Sequence, residues 1–178
     1  SGDWDVEVPV IISNHKALEP VAKGFRVPFV HFPITKDNKE EQEKKEIELL
    51  KKYKIDFIVL ARYMQILTSG IISEFPNKII NIHPALLPSF GGSGMYGMNV
   101  HRAVFSSSAQ VSGASIHFVD ESYDTGKIIA QRCVDISDIQ SPEELAERVL
   151  KIEHQLLPEV VKKFALGRVF VDKSRVRI

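Results

Sequence analysis

Short apolar, β-branched runs alternate along this chain with amphipathic segments of helical period, and that alternation commits it to an α/β fold. The run Phe57-Ile58-Val59-Leu60 is the plainest case, because a strand covered on both faces of a parallel sheet carries no polar residue. Residues 8–12, 29–32 and 78–81 read as further strands, and residues 113–119 and 127–134 as two more around the turn Tyr123-Asp124-Thr125-Gly126. Residues 16–23, 37–53, 68–75 and 100–106 read as helices. The second of these is crowded with Lys and Glu, which reads as a solvated face supported by i,i+4 pairs, with Ile47, Leu50 and Tyr53 on the other side. Ser141-Pro142-Glu143-Glu144 is a capping box with proline at the first helical position. The helix it starts carries Leu145, Val149, Ile152 and Leu156, and is expected to run to Ala165 with a kink or break at Pro158 and a stop at Gly167. Residues 168–178 read as a short terminal hairpin.

The length, 178 residues, suits a single domain with a real core. Lys+Arg and Asp+Glu are equal at 23 each, so no net field draws nucleic acid or an anionic membrane. The one cysteine, Cys133, rules out an internal disulfide and suits a reducing compartment; it is expected to pack as a small hydrophobe. No apolar run reaches the roughly 20 residues of a membrane helix. The start, Ser1-Gly2-Asp3-Trp4-Asp5, has no charged-then-apolar targeting pattern, so a soluble, cytoplasmic protein is expected.

Chemistry concentrates where strands end. Asn81 and His83 stand two residues apart in Asn81-Ile82-His83-Pro84, and in a strand that spacing points both side chains to one face. Open α/β sheets bind ligands at the carboxyl ends of their strands. An imidazole suits proton transfer near neutrality, and a carboxylate such as Asp124 can hold its ring and stabilise the cation. An amide N–H can stabilise a tetrahedral oxyanion. Those parts fit acyl-type transfer without a covalent nucleophile, although Asp124 beside Gly126 also reads as an ordinary turn residue. The stretch 84–97 is rich in Gly, Pro and Ser, and a loop that long in a compact domain is often functional.

Other residues carry less. His15 and His31 read as structural or surface residues, and His101 as surface. His117, in an apolar strand, is expected as a satisfied core histidine with a possible catalytic role. Glu153 beside the apolar stripe of the long helix faces either a cleft or solvent. No histidine pair has metal-ligand spacing, and no metal is expected.

Taken in order, Asn81-Ile82-His83-Pro84 through Leu87-Pro88-Ser89-Phe90, then residues 113–118, then Tyr123-Asp124-Thr125-Gly126 resemble the signature of the folate-dependent formyltransferases. From Asn81 onward the likeness is to the branch that formylates glycinamide ribonucleotide in purine synthesis, including Gly94-Met95-Tyr96-Gly97, Glu153-His154 and the tail from Gly167. The first half, through Ile12-Ser13-Asn14-His15, Thr35-Lys36-Asp37-Asn38-Lys39 and Ala61-Arg62-Tyr63-Met64-Gln65-Ile66-Leu67, resembles the sister branch that hydrolyses formyltetrahydrofolate. That branch usually has a second histidine where this chain has Pro84.

The resemblance implies a Rossmann-like fold with a mixed, mostly parallel sheet flanked by helices. It implies formyl transfer from 10-formyltetrahydrofolate to the amine of glycinamide ribonucleotide, with hydrolysis or a non-catalytic folate-binding domain as alternatives. His83 would be the acid/base residue, Asp124 its partner, and Asn81 the group holding the formyl oxygen. Met64, Gln65, Ile66 and Leu67 would wall the folate pocket opposite Asp120, Glu121, Ser122, Tyr123 and Asp124. Lys39 would face the folate tail, and Glu153 the amino substrate. Small molecules, neither nucleic acid nor membrane, would be the partners of a monomer or homodimer. Against the family pattern, the strand at residues 8–12 resembles the second one, so the family's first strand and its phosphate-binding, Gly-rich turn are missing from this sequence. Their loss is expected to leave two neighbouring strands with bare edges.

Overall fold

The structure is a computed structural model and describes residues 6–35, 37–173 and 175–178. They fall into two compact units, one of residues 1–57 with 67–76, the other of 58–66 with 77–178.

In the first unit, β1 (Ile11–Ser13) and β2 (Phe29–His31) pair in parallel, with Ile11 opposite Phe29. The strand starts later than residue 8, because Pro9 has no N–H to give a ladder; the first bond runs from Ile11 N to the Pro28 carbonyl, 2.9 Å. Helix α1 (Glu19–Gly24) follows β1, and α2 (Lys39–Lys52) follows β2. Helix α3 (Ser69–Glu74) packs on α2 through Leu50, Ile71 and Phe75, all buried. The expected solvated face of α2 is corrected here: Glu43 and Glu46 are buried along with Leu50. Glu43 earns its burial by accepting the Thr68 backbone N–H at 3.1 Å and the Thr68 hydroxyl, immediately before α3. Among the described residues Glu46 has no such partner, and burial, aided by the Glu43 charge and opposed by Lys39, pushes its carboxyl up to about 7. Lys51 meets Glu74 at 2.6 Å on the surface of the same helix pair.

The second unit holds a four-stranded sheet in the order β3 (Ile58–Leu60), β4 (Ile79–His83), β5 (Val111–Phe118), β6 (Ile128–Asp135). β3 and β4 are parallel, while β4–β5 and β5–β6 are antiparallel. The sheet is mixed as expected, but its antiparallel share is larger than "mostly parallel" implies, because β5 and β6 form a local hairpin. Among the described residues β3 pairs only with β4, and β1 only with β2, so each keeps one bare edge.

Helix α4 (Met98–Ser106) and α5 (Pro142–Ala165) cover this sheet. α5 buries Leu145, Val149, Leu156 and Val160, the first two against Ala85, Val100 and Val104, the last two against Ile80, Ile116 and Phe118. Its start is capped as the sequence indicates: the Ser141 hydroxyl accepts Glu144 N at 3.1 Å, and the Glu144 carboxylate reaches back to Gln140 N at 3.0 Å. The helix runs unbroken across Pro158. Proline removes one N–H, whose acceptor would be the carbonyl of the exposed His154, and the apolar stripe on either side holds the turn closed. A terminal hairpin of β7 (Phe170–Asp172) and β8 (Arg175–Arg177) follows Gly167, whose φ of 63° ends the helix. Cys133 is exposed and not packed as expected, because β6 alternates its faces and Cys133 shares the outward one with Gln131 and Asp135.

Candidate active site

β4 runs two residues past its last register pair with β3, Leu60–Asn81, and ends at His83. Asn81 and His83 therefore lie on one strand and one face at the carboxyl end of the parallel pair β3–β4. On the antiparallel side Asn81 stands opposite His117 of β5.

Asp124 reaches this point from the turn after β5. Asp120 builds that turn by accepting Ser122 N at 3.1 Å and the Thr125 hydroxyl at 2.8 Å. Asp124 itself takes a positive φ of 53°, an uncommon conformation for a residue with a side chain, of the kind that collects at functional sites. Gly126 is required two residues on: a Cβ there would run into the Phe118 carbonyl.

Three groups then converge on one carboxylate. Asp124 Oδ2 lies 3.5 Å from His83 Nδ1 and accepts Gly92 N at 3.0 Å, and Oδ1 lies 3.5 Å from His117 Nε2. Burial pushes the Asp124 carboxyl up, but His117, the Gly92 amide and His83 together hold it below its usual value. It is a carboxylate at neutral pH.

His83 is almost fully buried and donates through Nε2 to the Phe90 carbonyl at 2.7 Å. Its Nδ1 is the nitrogen left facing Asp124. Desolvation lowers its pKa, opposed by Asp124 and by the Phe90 bond, so the resting ring is neutral. His117, the possible site residue, is buried too. Its Nδ1–H goes to the Phe118 carbonyl at 2.7 Å, and its Nε2 lies 3.2 Å from the Asn81 amide nitrogen. His117 thus orients Asn81 while contacting Asp124. That joins the two sequence readings, a satisfied core histidine and a member of the site.

Several contributors were not legible as site residues. The loop after β4 is pinned by Ser115 of β5, whose buried hydroxyl donates to the Ala85 carbonyl at 2.7 Å and accepts Leu87 N at 2.9 Å. Gln131 reinforces it through the Leu87 carbonyl and Ser115 Oγ, both at 2.9 Å. That pin places Phe90 and Gly92 on His83 and Asp124. Gly91 and Gly92 were the available signal, since a Cβ on Gly91 would strike Leu87 and crowd Asp124. His101, expected at the surface, is buried on α4, and its ring is shifted down by burial and by the charge of His83. The apolar face of α4, with Val100 and Val104 at zero exposure, turns it inward.

The remaining candidates divide between the units. Lys39 and Leu67 belong to the first, where Leu67 is buried and Lys39 lies 3.8 Å from Glu43. Met64, Gln65 and Ile66 follow β3 in the second unit, with Met64 58% and Ile66 37% exposed, and Tyr123 of the Asp124 turn is 46% exposed. Such uncovered apolar groups beyond the carboxyl end of a strand suit an apolar ligand wall. Glu121 and Ser122 are exposed as well. Glu153, on α5, is partly buried; desolvation pushes its carboxyl up, and the Arg62 and His154 charges pull the other way.

Comparison with known proteins agrees with this geometry. The profile described as formyl transferase matches residues 1–161. A chloroplastic phosphoribosylglycinamide formyltransferase of Vigna unguiculata is 42% identical over 178 residues, covering 98% of this chain and 57% of the relative. A formyltetrahydrofolate deformylase of Synechocystis sp. is 39% identical over 175 residues, covering 98% of this chain and 60% of the relative. The crystal structure of a formyltetrahydrofolate deformylase from Pseudomonas syringae superposes with a TM-score of 0.91 at 29% identity, covering 99% of this chain and 57% of that one. The chain thus spans less than two thirds of the length of these relatives. With a profile match over most of its length, a Rossmann-like mixed sheet and close relatives in both branches, it belongs to the formyl transferase family.

Proposed function

We propose that the chain is the formyltransferase-like domain of an enzyme that moves a formyl group from 10-formyltetrahydrofolate to the amine of glycinamide ribonucleotide. The observation that carries the reaction type is the convergence of His83, His117 and the Gly92 amide on Asp124, with Asn81 held by His117. The amine attacks the formyl carbon and a tetrahedral oxyanion forms. The second Asn81 N–H and the His83 ring face that oxyanion. The attacking amine gives its proton to His83 Nδ1, and the imidazolium is held between the Phe90 carbonyl and Asp124. That proton then passes through water on Asp124 to N10 of the folate as the carbon–nitrogen bond breaks, leaving the His83 ring neutral again, formylated product and tetrahydrofolate. No metal enters any step.

Met64, Gln65 and Ile66 with the 120–124 turn are assigned to the folate, Lys39 to its carboxylate tail, and Glu153 to the acceptor. Pro84 after His83 and the 42% identity to the Vigna transferase favour the amine as acceptor. The 39% identity to the Synechocystis deformylase and the TM-score of 0.91 to the Pseudomonas one favour a second reading, in which water attacks on the same apparatus. A third, a folate-binding domain without turnover, has the complete Asn81–His83–Asp124 set against it. An exposed free thiol at Cys133 suits a reducing compartment, the cytoplasm or the chloroplast that the name of the Vigna relative gives for that protein. Consumption of 10-formyltetrahydrofolate by the natural full-length protein, with and without glycinamide ribonucleotide, tests the assignment. Turnover that requires the nucleotide supports transfer; equal turnover without it supports hydrolysis; none at all supports the binding domain.

A further inference from the structure

Glu43 is a carboxylate in the interior of the first unit, almost wholly buried on α2. A buried charge seldom adds net stability over an apolar residue of the same volume, and Leu50, Ile71 and Phe75 already pack α2 on α3. What Glu43 does hold is Thr68. Its Oε2 accepts the Thr68 N–H at 3.1 Å and the Thr68 hydroxyl, and Oε1 lies 3.3 Å from the same nitrogen. Lys39, one turn earlier, brings its Nζ to 3.8 Å from Oε1 as a countercharge. Thr68 is the N-cap of α3, where a threonine ordinarily caps its own helix. Here its side chain makes no capping bond, because the hydroxyl is turned to Glu43, 25 residues away in sequence. With six residues α3 is too short to fix its own start. The tie to Glu43 therefore sets the point at which the chain leaves Met64-Gln65-Ile66-Leu67, with Leu67 buried beside it.

We propose that Glu43 is a positioning residue for the folate wall. Through Thr68 it fixes Leu67 directly and Met64, Gln65 and Ile66 through the chain, so the wall is set before folate arrives and little ordering is left to cost affinity. Glu43 touches neither folate nor the reacting atoms, and the chemistry at His83 and Asp124 does not depend on it. The inference rests on the assignment of residues 64–67 to the folate, and it holds equally for formyl transfer and for hydrolysis. Because its other oxygen meets Lys39, the residue assigned to the folate tail, loss at the wall and loss at the tail are distinct outcomes of removing it.

The test is steady-state donor consumption by the natural full-length protein, with titration calorimetry of a folate analogue and of the same analogue lacking its glutamate tail. Glu43→Gln keeps the shape and removes the charge, and Thr68→Val removes only a hydroxyl that gives α3 nothing. Each is expected to weaken both analogues and raise the donor KM by about tenfold, with kcat within about twofold of wild type. Thr68→Ser, which keeps the hydroxyl, is expected to bind as wild type does. So is Glu46→Gln, a change to the buried carboxyl one turn along α2 that bonds no described residue. Hydrogen exchange across residues 64–68 should rise in Glu43→Gln and stay unchanged in Glu46→Gln. Unaltered binding in Glu43→Gln, a loss confined to the tailed analogue, a fall in kcat at constant KM, or an equal loss in Glu46→Gln overturns the role given to Glu43. Failure of the wild type to bind either analogue defeats the folate assignment itself, whereas a wild type that binds and a Glu43→Gln variant that binds equally defeat only the positioning.

Discussion

Replacing Ser115 with alanine should separate the scaffold of the site from its chemistry. The Ser115 side chain touches no reacting group, yet its hydroxyl satisfies the Ala85 carbonyl and the Leu87 N–H, in a place with no access to water. Gln131 also loses one of its two acceptors. Each backbone group left unpaired in the interior costs about 1–3 kcal/mol, and partial relaxation of the loop offsets some of it, so a loss of about 2–4 kcal/mol is expected. For a protein of this size that lowers Tm by roughly 5–15 °C. Relaxation has a direction: the loop carries Phe90 and Gly92, the partners of His83 Nε2 and Asp124 Oδ2. In the natural full-length protein, kcat for donor consumption should therefore fall by about tenfold or more even where the variant is fully folded. Urea unfolding and steady-state kinetics measure the two effects separately. A variant less than about 0.5 kcal/mol destabilised with unchanged kcat would refute the role given to Ser115, and Ser115→Thr, which keeps the hydroxyl, should retain more of both.

Glu46→Gln tests the buried acid of α2. A folded pKa near 7 against an unfolded value of 4.5 means the native state keeps the proton longer, so that stability is full below about pH 4.5 and lost as pH rises through 7. The variant should gain up to about 3 kcal/mol over wild type at pH 8 relative to pH 5 by urea titration; a pH-independent difference would count against burial as the cause. In Asp124→Asn, His83 loses the charge that raises its pKa, so the acid limb of the residual pH–rate profile should move to lower pH while kcat falls about 10²-fold or more. An upward shift would contradict the assignment. Gly126→Ala should displace the Asp124 turn and raise hydrogen exchange across residues 120–126, whereas unchanged exchange would show that the turn tolerates a Cβ.

The alternation of apolar runs sufficed to read the strands and their order along the chain, and the Asn81–His83 spacing sufficed to aim two groups at one pocket. The capping box at Ser141 was legible because its chemistry is local. What stayed hidden depended on contacts distant in sequence. Glu43 and Glu46 look like any surface glutamates of a charged helix until α3 closes over them, with Thr68 bonding Glu43 and no described residue bonding Glu46. Pro158 has the chemistry of a helix breaker, and packing on the sheet overrides it. His101 follows a glycine loop that suggests solvent, but the apolar period of α4 turns it inward. His117 was ambiguous because its two roles use its two nitrogens, a distinction that needs Phe118, Asn81 and Asp124 in place. Ser115 carried no signal, since a serine in an apolar strand is unremarkable until a loop 28–30 residues away in sequence docks on it.

The most direct measurement is donor consumption by the natural full-length protein and its His83→Ala variant, each with and without glycinamide ribonucleotide, alongside calorimetric binding of a folate analogue. Nucleotide-dependent turnover should drop by about 10²-fold or more in His83→Ala while the analogue binds with unchanged affinity. Turnover in the variant equal to wild type, with the ring gone and the fold intact, would contradict a catalytic site centred on His83 and Asp124.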